Sequence, residues 1–112
     1  MTSLHYLSIT ELQEAYRKGT YSPVEVTQAA LERIAVLDPK LKAFIKVTEE
    51  TALRQARRAE AEINAGNFRG PLHGVPIALK DLYDTKGIAT TGGSMALQDR
   101  VPEHDATVVS RL

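Results

Sequence analysis

Gly92-Gly93-Ser94-Met95 is the segment whose residue types most directly suggest catalysis. Its glycines permit a sharp turn, and a serine in such a turn superficially resembles the serine elbows in which backbone amides hold an oxyanion. Glycine-serine turns are, however, more often purely structural. We therefore do not assign Ser94 as a nucleophile.

Lys80, Asp81 and Asp84 form a charged segment directly after the apolar run of residues 77–79. Without further context, a lysine beside an aspartate is typical of a solvated surface charge pair. Asp81 and Asp84 together would suit acid–base chemistry. An aspartate just after a strand more often caps backbone amides in the next turn, so we assign Asp81 a supporting role at most.

The histidines do not predict a metal site. His5, His73 and His104 lie far apart, without the His-x-x-x-His spacing of metal ligands and without an obvious carboxylate partner. We expect them to be surface or turn residues. The absence of cysteine excludes disulfides, thiolate-bound metals and a thiol nucleophile. The sequence thus predicts neither a cofactor nor a metal.

Charge and hydropathy exclude several classes of function. The 112 residues contain 14 Lys+Arg and 14 Asp+Glu, so no basic surface for direct nucleic-acid binding is predicted. There is no amino-terminal leader pattern, and no apolar run approaches the ~18 residues that span a bilayer. We expect a soluble, cytoplasmic protein without membrane association.

Two capping boxes define the first helices. Ser8 with Glu11 starts one helix, and Ser22 with Glu25 starts a second one that has proline at its first position. Asp38 precedes a proline and is therefore biased out of the helical region. The second helix is predicted to end near Asp38.

The remaining pattern alternates strands and helices. Residues 43–47 and 77–79 are short apolar runs suited to buried strands, and residues 49–65 form a helical pattern between them. This order predicts a parallel βαβ unit. Residues 88–91 suggest a third strand, and Asp105 is a predicted cap for a last helix.

The fold class is therefore α/β, with N-terminal helices and a sheet that is incomplete at the C-terminus. Two or three buried strands need neighbours on both edges, and too little chain follows to supply them. No repeat or flexible linker divides the chain. We expect residues 1–112 to be the N-terminal part of a single domain.

Several segments, in the same order along the chain, resemble the amidase signature family. The central one runs from Gly70-Pro71 through a strand to Lys80-Asp81. The likeness covers nearly the whole chain and extends to residues 22–26, 41–45, 85–87, 90–94 and 105–109. It implies the first βαβ part of an amidase-signature mixed sheet flanked by helices.

The resemblance also implies a catalytic role for Lys80. In that family a serine nucleophile, a second serine in a cis peptide and a lysine form the triad, and both serines belong to a stretch farther downstream. A neighbouring base must take the serine proton, and a lysine can do so only when neutral. Burial beside the strand end would favour that form. Substrate-binding residues are not identifiable.

The expected function is hydrolysis of a carbon–nitrogen bond in a small-molecule amide by the full-length protein. The chain alone is expected to be inactive and to form a homo-oligomer or to associate with the rest of its domain. One alternative is the amidase subunit of a glutamine-dependent tRNA amidotransferase. Leu82 departs from the Lys-Asp-Asn pattern typical of that subunit. Another alternative is a short, non-catalytic interaction module.

Overall fold

The computed structural model describes residues 3–112. Contacts divide the chain into two units, Met1–Pro76 and Ile77–Leu112, which are called here the first and the second unit. The prediction of one domain over residues 1–112 stays a prediction. None of the helices in the described part of the chain is both long and apolar enough to cross a bilayer.

The first unit is helical. A 3₁₀ turn at Leu4–Tyr6 precedes three α-helices, which are α1 at Ile9–Lys18, α2 at Pro23–Leu41 and α3 at Glu49–Asn64. Helix α2 packs against both α3 and the 3₁₀ turn. The order and approximate bounds of these helices agree with the sequence prediction.

Both predicted capping boxes are present. The Ser8 side chain accepts from the Glu11 amide at 3.2 Å, and the Glu11 carboxylate accepts from the Ser8 amide at 2.7 Å. Ser22 and Glu25 repeat this arrangement at 3.2 and 2.8 Å. Each box satisfies amides that the first turn of a helix leaves unpaired, so α1 and α2 begin where the sequence predicts.

The core of the first unit is formed by side chains of α1 and α2. Leu12, Tyr16 and Val26 form a buried cluster in which each residue is at most 6% exposed. Partly buried apolar side chains pack around it, namely Leu4, Leu7, Tyr21, Ile63 and Val75. This cluster draws on every helix of the first unit and on the turn that ends it.

Helix α2 continues past its predicted end. It runs to Leu41, three residues beyond Asp38, with Pro39 inside its last turn. Lys42 then ends the helix in the left-handed conformation, with φ of 50°, and its amide donates to the Asp38 carbonyl at 2.7 Å. The Asp38 carboxylate accepts from the next amides, of Ala43 and Phe44, at 2.7 and 3.1 Å. Asp38 thus caps this end rather than breaking the helix.

The predicted strands do not form within residues 3–112. Residues 43–47, 77–79 and 88–91 belong to no strand, and the described chain has one isolated bridge, between Thr85 and Ile88. The predicted βαβ unit is therefore not observed, although the helices are. An extended segment becomes a strand only when a neighbouring strand pairs with its amides and carbonyls.

The second unit has little regular structure. It contains a 3₁₀ turn at Met95–Leu97 and the one-turn helix α4 at Thr107–Ser110. The predicted cap by Asp105 is wrong, because Ala106 precedes α4 without a side-chain cap. The Asp105 carboxylate instead accepts from the Lys86 amide at 2.7 Å.

Candidate catalytic segment

Lys80 lies on the surface of the second unit. Its carbonyl accepts from the Tyr83 amide at 3.1 Å, which closes a turn directly after residues 77–79. Lys80 itself and the apolar run before it are exposed, so the predicted burial of the lysine is not provided by this unit. No ion pair among residues 3–112 includes Lys80. The surface charge pair with Asp81 is therefore not formed.

The Asp81 carboxylate is bound by the turn at Thr91-Gly92-Gly93 instead. Its Oδ1 accepts from the Thr91 amide at 2.9 Å, and its Oδ2 accepts from the Thr91 hydroxyl and, at 3.4 Å, from the Gly93 amide. The Asp81 carbonyl accepts from the Gly92 amide at 2.7 Å. The bonds to the carboxylate from Thr91 and Gly93, above all that from the Thr91 hydroxyl, lower the pKa of Asp81. Asp81 therefore caps backbone amides as predicted, but they lie ten and twelve residues along the chain rather than in the next turn.

Ser94 follows this turn and begins the next one. Its amide donates to the Thr91 carbonyl at 3.0 Å, and its carbonyl accepts from the Leu97 amide at 3.1 Å. Both bonds are local backbone bonds of the kind that structural turns make. The turn is therefore as predicted, and the absence of a nucleophilic role for Ser94 stays a prediction.

Asp84 is paired with Arg100. The two guanidinium nitrogens Nη1 and Nη2 donate to the carboxylate at 2.7 and 2.9 Å, and Nη1 also donates to the Thr90 carbonyl at 3.3 Å. Arg100 lowers the pKa of Asp84 through these bonds. The paired-carboxylate interpretation is not supported, because Asp81 and Asp84 each bind a different partner.

His73 differs from its prediction. Its backbone lies in a turn, but its side chain is 5% exposed and has a carboxylate partner, Glu62, whose Oε2 is 2.8 Å from Nε2. The Arg69 amide donates to Nδ1 at 3.1 Å, so the hydrogen-bond network assigns the ring proton to Nε2. Glu62 also binds Arg58 and Arg69 at 3.0 and 3.1 Å. Its pKa is lowered by Arg58 first and then by His73 and Arg69.

The turn around His73 is anchored to α1. Gln13 donates to the His73 carbonyl at 3.1 Å, and the Tyr16 hydroxyl donates to the Gly74 carbonyl at 2.9 Å. Burial raises the pKa of Tyr16 to about 12. Gly74 has φ of 80°, and a Cβ there would lie 2.8 Å from Cγ of Pro23. The family-like segment thus begins at a turn that closely contacts both α1 and the start of α2.

The other two histidines are exposed, as predicted. His5 is bonded through Nε2 to the Ser3 hydroxyl at 2.7 Å. Within residues 3–112 no group of three or more His, Asp or Glu side chains is placed to hold a metal ion.

Sequence reasoning missed Thr91, Arg100 and Glu62. Thr91 binds Asp81 ten positions away, and Arg100 binds Asp84 sixteen positions away. Glu62 binds His73 eleven positions away. No spacing rule for helices or hairpins connects such pairs. The nearest available signal was the Thr-Gly-Gly sequence, because a turn with consecutive free amides can bind a carboxylate.

Comparison with known proteins places this segment in a family. The sequence model of the family described as Amidase matches residues 25–112, a range that includes Lys80, Asp81 and Thr91. The chain belongs to the amidase family. The resemblance read from the sequence is thereby confirmed.

Several amidase-family proteins are similar over nearly the whole chain. A glutamyl-tRNA(Gln) amidotransferase subunit of Acinetobacter baumannii is 47% identical over 99% of this chain and 22% of its own length. The corresponding subunit of Chloroflexus aurantiacus is 43% identical over 100% of this chain and 23% of its own length. This chain therefore spans less than a quarter of the length of these curated relatives.

Solved structures give the same result. The native peptide amidase of Stenotrophomonas maltophilia superimposes with a TM-score of 0.89 at 39% identity, over 96% of this chain and 22% of that protein. The fold of the described residues is therefore that of the corresponding part of an amidase.

Proposed function

We propose that Lys80 is the general base of an amidase that hydrolyses a carbon–nitrogen bond in a small-molecule amide. In this proposal the full-length protein supplies two serines downstream of residue 112. The observation that carries the proposal is the family match over residues 25–112, a range that contains Lys80.

The surroundings of Lys80 support this role. A lysine that accepts a proton must be neutral, and an adjacent carboxylate would favour its charged form. The Asp81 carboxylate is bound to Thr91 and Gly93, and Lys80 takes part in no ion pair in the described residues. Further polypeptide covering residues 77–80 would add the desolvation that this chain does not provide.

The proposed chemistry is acyl transfer through serine. Neutral Lys80 takes a proton from the bridging serine, which takes one from the nucleophilic serine as the nucleophile attacks the amide carbonyl. The carbon–nitrogen bond then breaks, and the nitrogen leaves as ammonia or an amine after receiving the proton. Water hydrolyses the acyl-serine and restores the starting protonation.

Substitution of Lys80 tests the proposal. Lys80→Ala in the full-length protein is expected to lower kcat/KM for a simple amide by about 10²- to 10⁴-fold, because a positioned base is lost. Lys86→Ala is the matched control, since Lys86 is also an exposed lysine of the second unit. The 112-residue chain alone, without the serines, is expected to show no turnover.

A loss of activity in Lys80→Ala can be distinguished from a folding defect. Circular dichroism of Lys80→Ala is expected to match that of the unsubstituted protein, because the substitution shortens one side chain that forms no ion pair in the described residues. Retention of more than about half the activity by Lys80→Ala would refute the assignment of the base. Labelling of Ser94 by a fluorophosphonate would refute the downstream nucleophile.

An amidotransferase subunit is the second candidate. It is favoured by the two relatives named above, at 47% and 43% identity, whose names describe a glutamyl-tRNA(Gln) amidotransferase. Leu82 in place of the expected asparagine, together with the similarity to a peptide amidase, favours a stand-alone enzyme. Both candidates use the same lysine chemistry.

Product analysis distinguishes the candidates. A stand-alone amidase is expected to release ammonia or an amine from a simple amide without any other protein. An amidotransferase subunit would instead transfer ammonia from glutamine to glutamyl-tRNA only when its partner subunits are added. Simple amide turnover at a rate unaffected by those subunits would support the first candidate.

We also propose that the second unit associates with the rest of the amidase domain. Large apolar side chains are more than half exposed there, including Ile77, Leu82, Met95 and Val101. Exposed apolar surface of this kind favours pairing with further polypeptide. The same exposure would favour self-association of the chain when it is alone.

A further inference from the structure

Lys80 and Asp81 are adjacent residues of opposite charge, yet they form no ion pair in the described chain. A carboxylate that reached the Lys80 ammonium would favour the protonated lysine, which cannot accept a proton. A base at this position therefore needs the Asp81 carboxylate to be held elsewhere. The second unit contains such a holding contact.

Thr91 provides most of that contact. Its amide donates to one carboxylate oxygen of Asp81 at 2.9 Å, and its hydroxyl donates to the other. The Gly93 amide lies farther away, at 3.4 Å. Among the groups that donate to the Asp81 carboxylate, the Thr91 hydroxyl is the one side-chain donor. Without it, Oδ2 would keep only the longer bond from the Gly93 amide.

The other acids of the second unit do not compete for Lys80. Asp84 is bound to Arg100, and Asp105 accepts from the Lys86 amide. Asp99 and Glu103 are exposed and belong to no ion pair in residues 77–112, and the same holds for the base His104. Among the acids of the second unit, Asp81 is thus the one that is adjacent to Lys80 in the chain and bound by Thr91.

We propose that Thr91 is a positioning residue that holds the Asp81 carboxylate away from Lys80 and so keeps the lysine available as a base. This inference rests on the proposed function of Lys80. It assigns to Thr91 an effect on the protonation of the base, rather than on substrate binding or on the fold.

The first test is the pH dependence of the full-length enzyme. Thr91→Val removes the hydroxyl and nearly preserves the shape of the side chain. The acid limb of kcat/KM for a simple amide is expected to move to higher pH, with about a tenfold or greater loss at neutral pH. Thr91→Ser keeps the hydroxyl, so the acid limb of its pH profile is expected to match that of the unsubstituted enzyme. Thr107→Val, at an exposed threonine whose hydroxyl bonds to no residue of the second unit, is the matched control.

A double substitution separates this role from a structural one. In Thr91→Val/Asp81→Asn the released side chain carries no charge, so the acid limb is expected to return to its original position. A structural role would lower kcat at every pH, and Asp81→Asn would not reverse it. The proposal would be overturned if the acid limb of Thr91→Val lay at the same pH as that of the unsubstituted enzyme. It would also be overturned if the double variant showed the same shift as Thr91→Val.

The second test does not depend on activity. Carbon-13 NMR titration of the 112-residue chain follows the Asp81 carboxyl and the Lys80 Cε signals. In Thr91→Val the Lys80 signal is expected to titrate at higher pH than in the unsubstituted chain, and this change should vanish in the double variant. Identical Lys80 titration in all three chains would overturn the proposal. If Thr91→Val does not fold, Thr91→Ala replaces it with the same expected outcomes.

The two tests keep the two proposals distinguishable. Full activity of Lys80→Ala would refute Lys80 as the base, while the titration would still decide whether Thr91 keeps Asp81 and Lys80 apart. A low activity of Lys80→Ala with no titration change in Thr91→Val would refute the positioning role alone.

Discussion

The first and second units are stabilised in different ways. The first unit buries Leu12, Tyr16 and Val26 to 6% exposure or less between capped helices. In the second unit the residues classed as buried are Thr90 and Pro102, and its turns are joined by polar contacts such as Asp81 with Thr91 and Asp84 with Arg100.

This difference has a physical consequence. Apolar burial stabilises the first unit by roughly 25 cal/mol for each Å² removed from water. Hydrogen bonds exchange with water and contribute about 1 kcal/mol each, while exposed ion pairs contribute less. The unit that carries Lys80 is therefore arranged in detail by polar contacts but has little apolar core of its own. Substitutions in the two units test this contrast.

The largest expected effect is loss of Tyr16 from the first unit. Tyr16→Ala removes a side chain that is 5% exposed and the hydrogen bond to Gly74, so the free energy of unfolding should fall by about 3–5 kcal/mol. Urea denaturation followed by circular dichroism measures it. Tyr6→Ala is the control, because Tyr6 is 72% exposed and its removal should cost less than about 0.5 kcal/mol. Equal effects of the two substitutions would show that the first unit has no apolar core.

A pair of glycine substitutions compares the packing of the two units. Gly74 and Gly87 have nearly equal φ, 80° and 77°, so alanine should cost about 1–2 kcal/mol of backbone strain at either position. At Gly74 the added Cβ would also lie 2.8 Å from Pro23 and 3.2 Å from Tyr16, whereas nothing lies within 4 Å at Gly87.

Gly74→Ala should therefore cost about 1–3 kcal/mol more than Gly87→Ala. A urea titration followed by the amide NMR signals of each unit measures the difference. A larger cost at Gly87 would contradict the tight packing assigned to the first unit and the open turns assigned to the second.

The smallest expected effect is a pH dependence of the first unit. The folded state lowers the pKa of Glu62, so its contacts stabilise the fold fully above the ordinary value of 4.5 and are lost as the pH falls below it. Glu62→Gln should make the urea midpoint of the first unit less sensitive to a change from pH 6 to pH 3. Glu50→Gln, at an exposed acid of the same helix, is the control. If the urea midpoints of Glu62→Gln and the unsubstituted chain changed equally with pH, Glu62 would not contribute to the pH dependence of the stability of the first unit.

The predicted helices are confirmed, whereas the predicted strands are not observed in the described residues. The capping boxes at Ser8 and Ser22 involve residues three positions apart, so the local sequence contains all that they need. A strand needs a partner segment, and residues 43–47 and 77–79 have none within residues 3–112. Their apolar composition predicts strands but carries no information on whether a pairing strand is present.

In the candidate site, too, local features could be predicted from the sequence, whereas the partners of the charged side chains could not. By itself the sequence determined the helix starts, the turn at Gly92-Gly93 and, through the family pattern, the choice of Lys80. Only the tertiary structure decided that Asp81 binds Thr91, that Asp84 binds Arg100 and that His73 is buried against Glu62. The reason is that local backbone preferences act between residues a few positions apart, whereas the partner of a charged side chain is whichever group folding brings within about 3 Å.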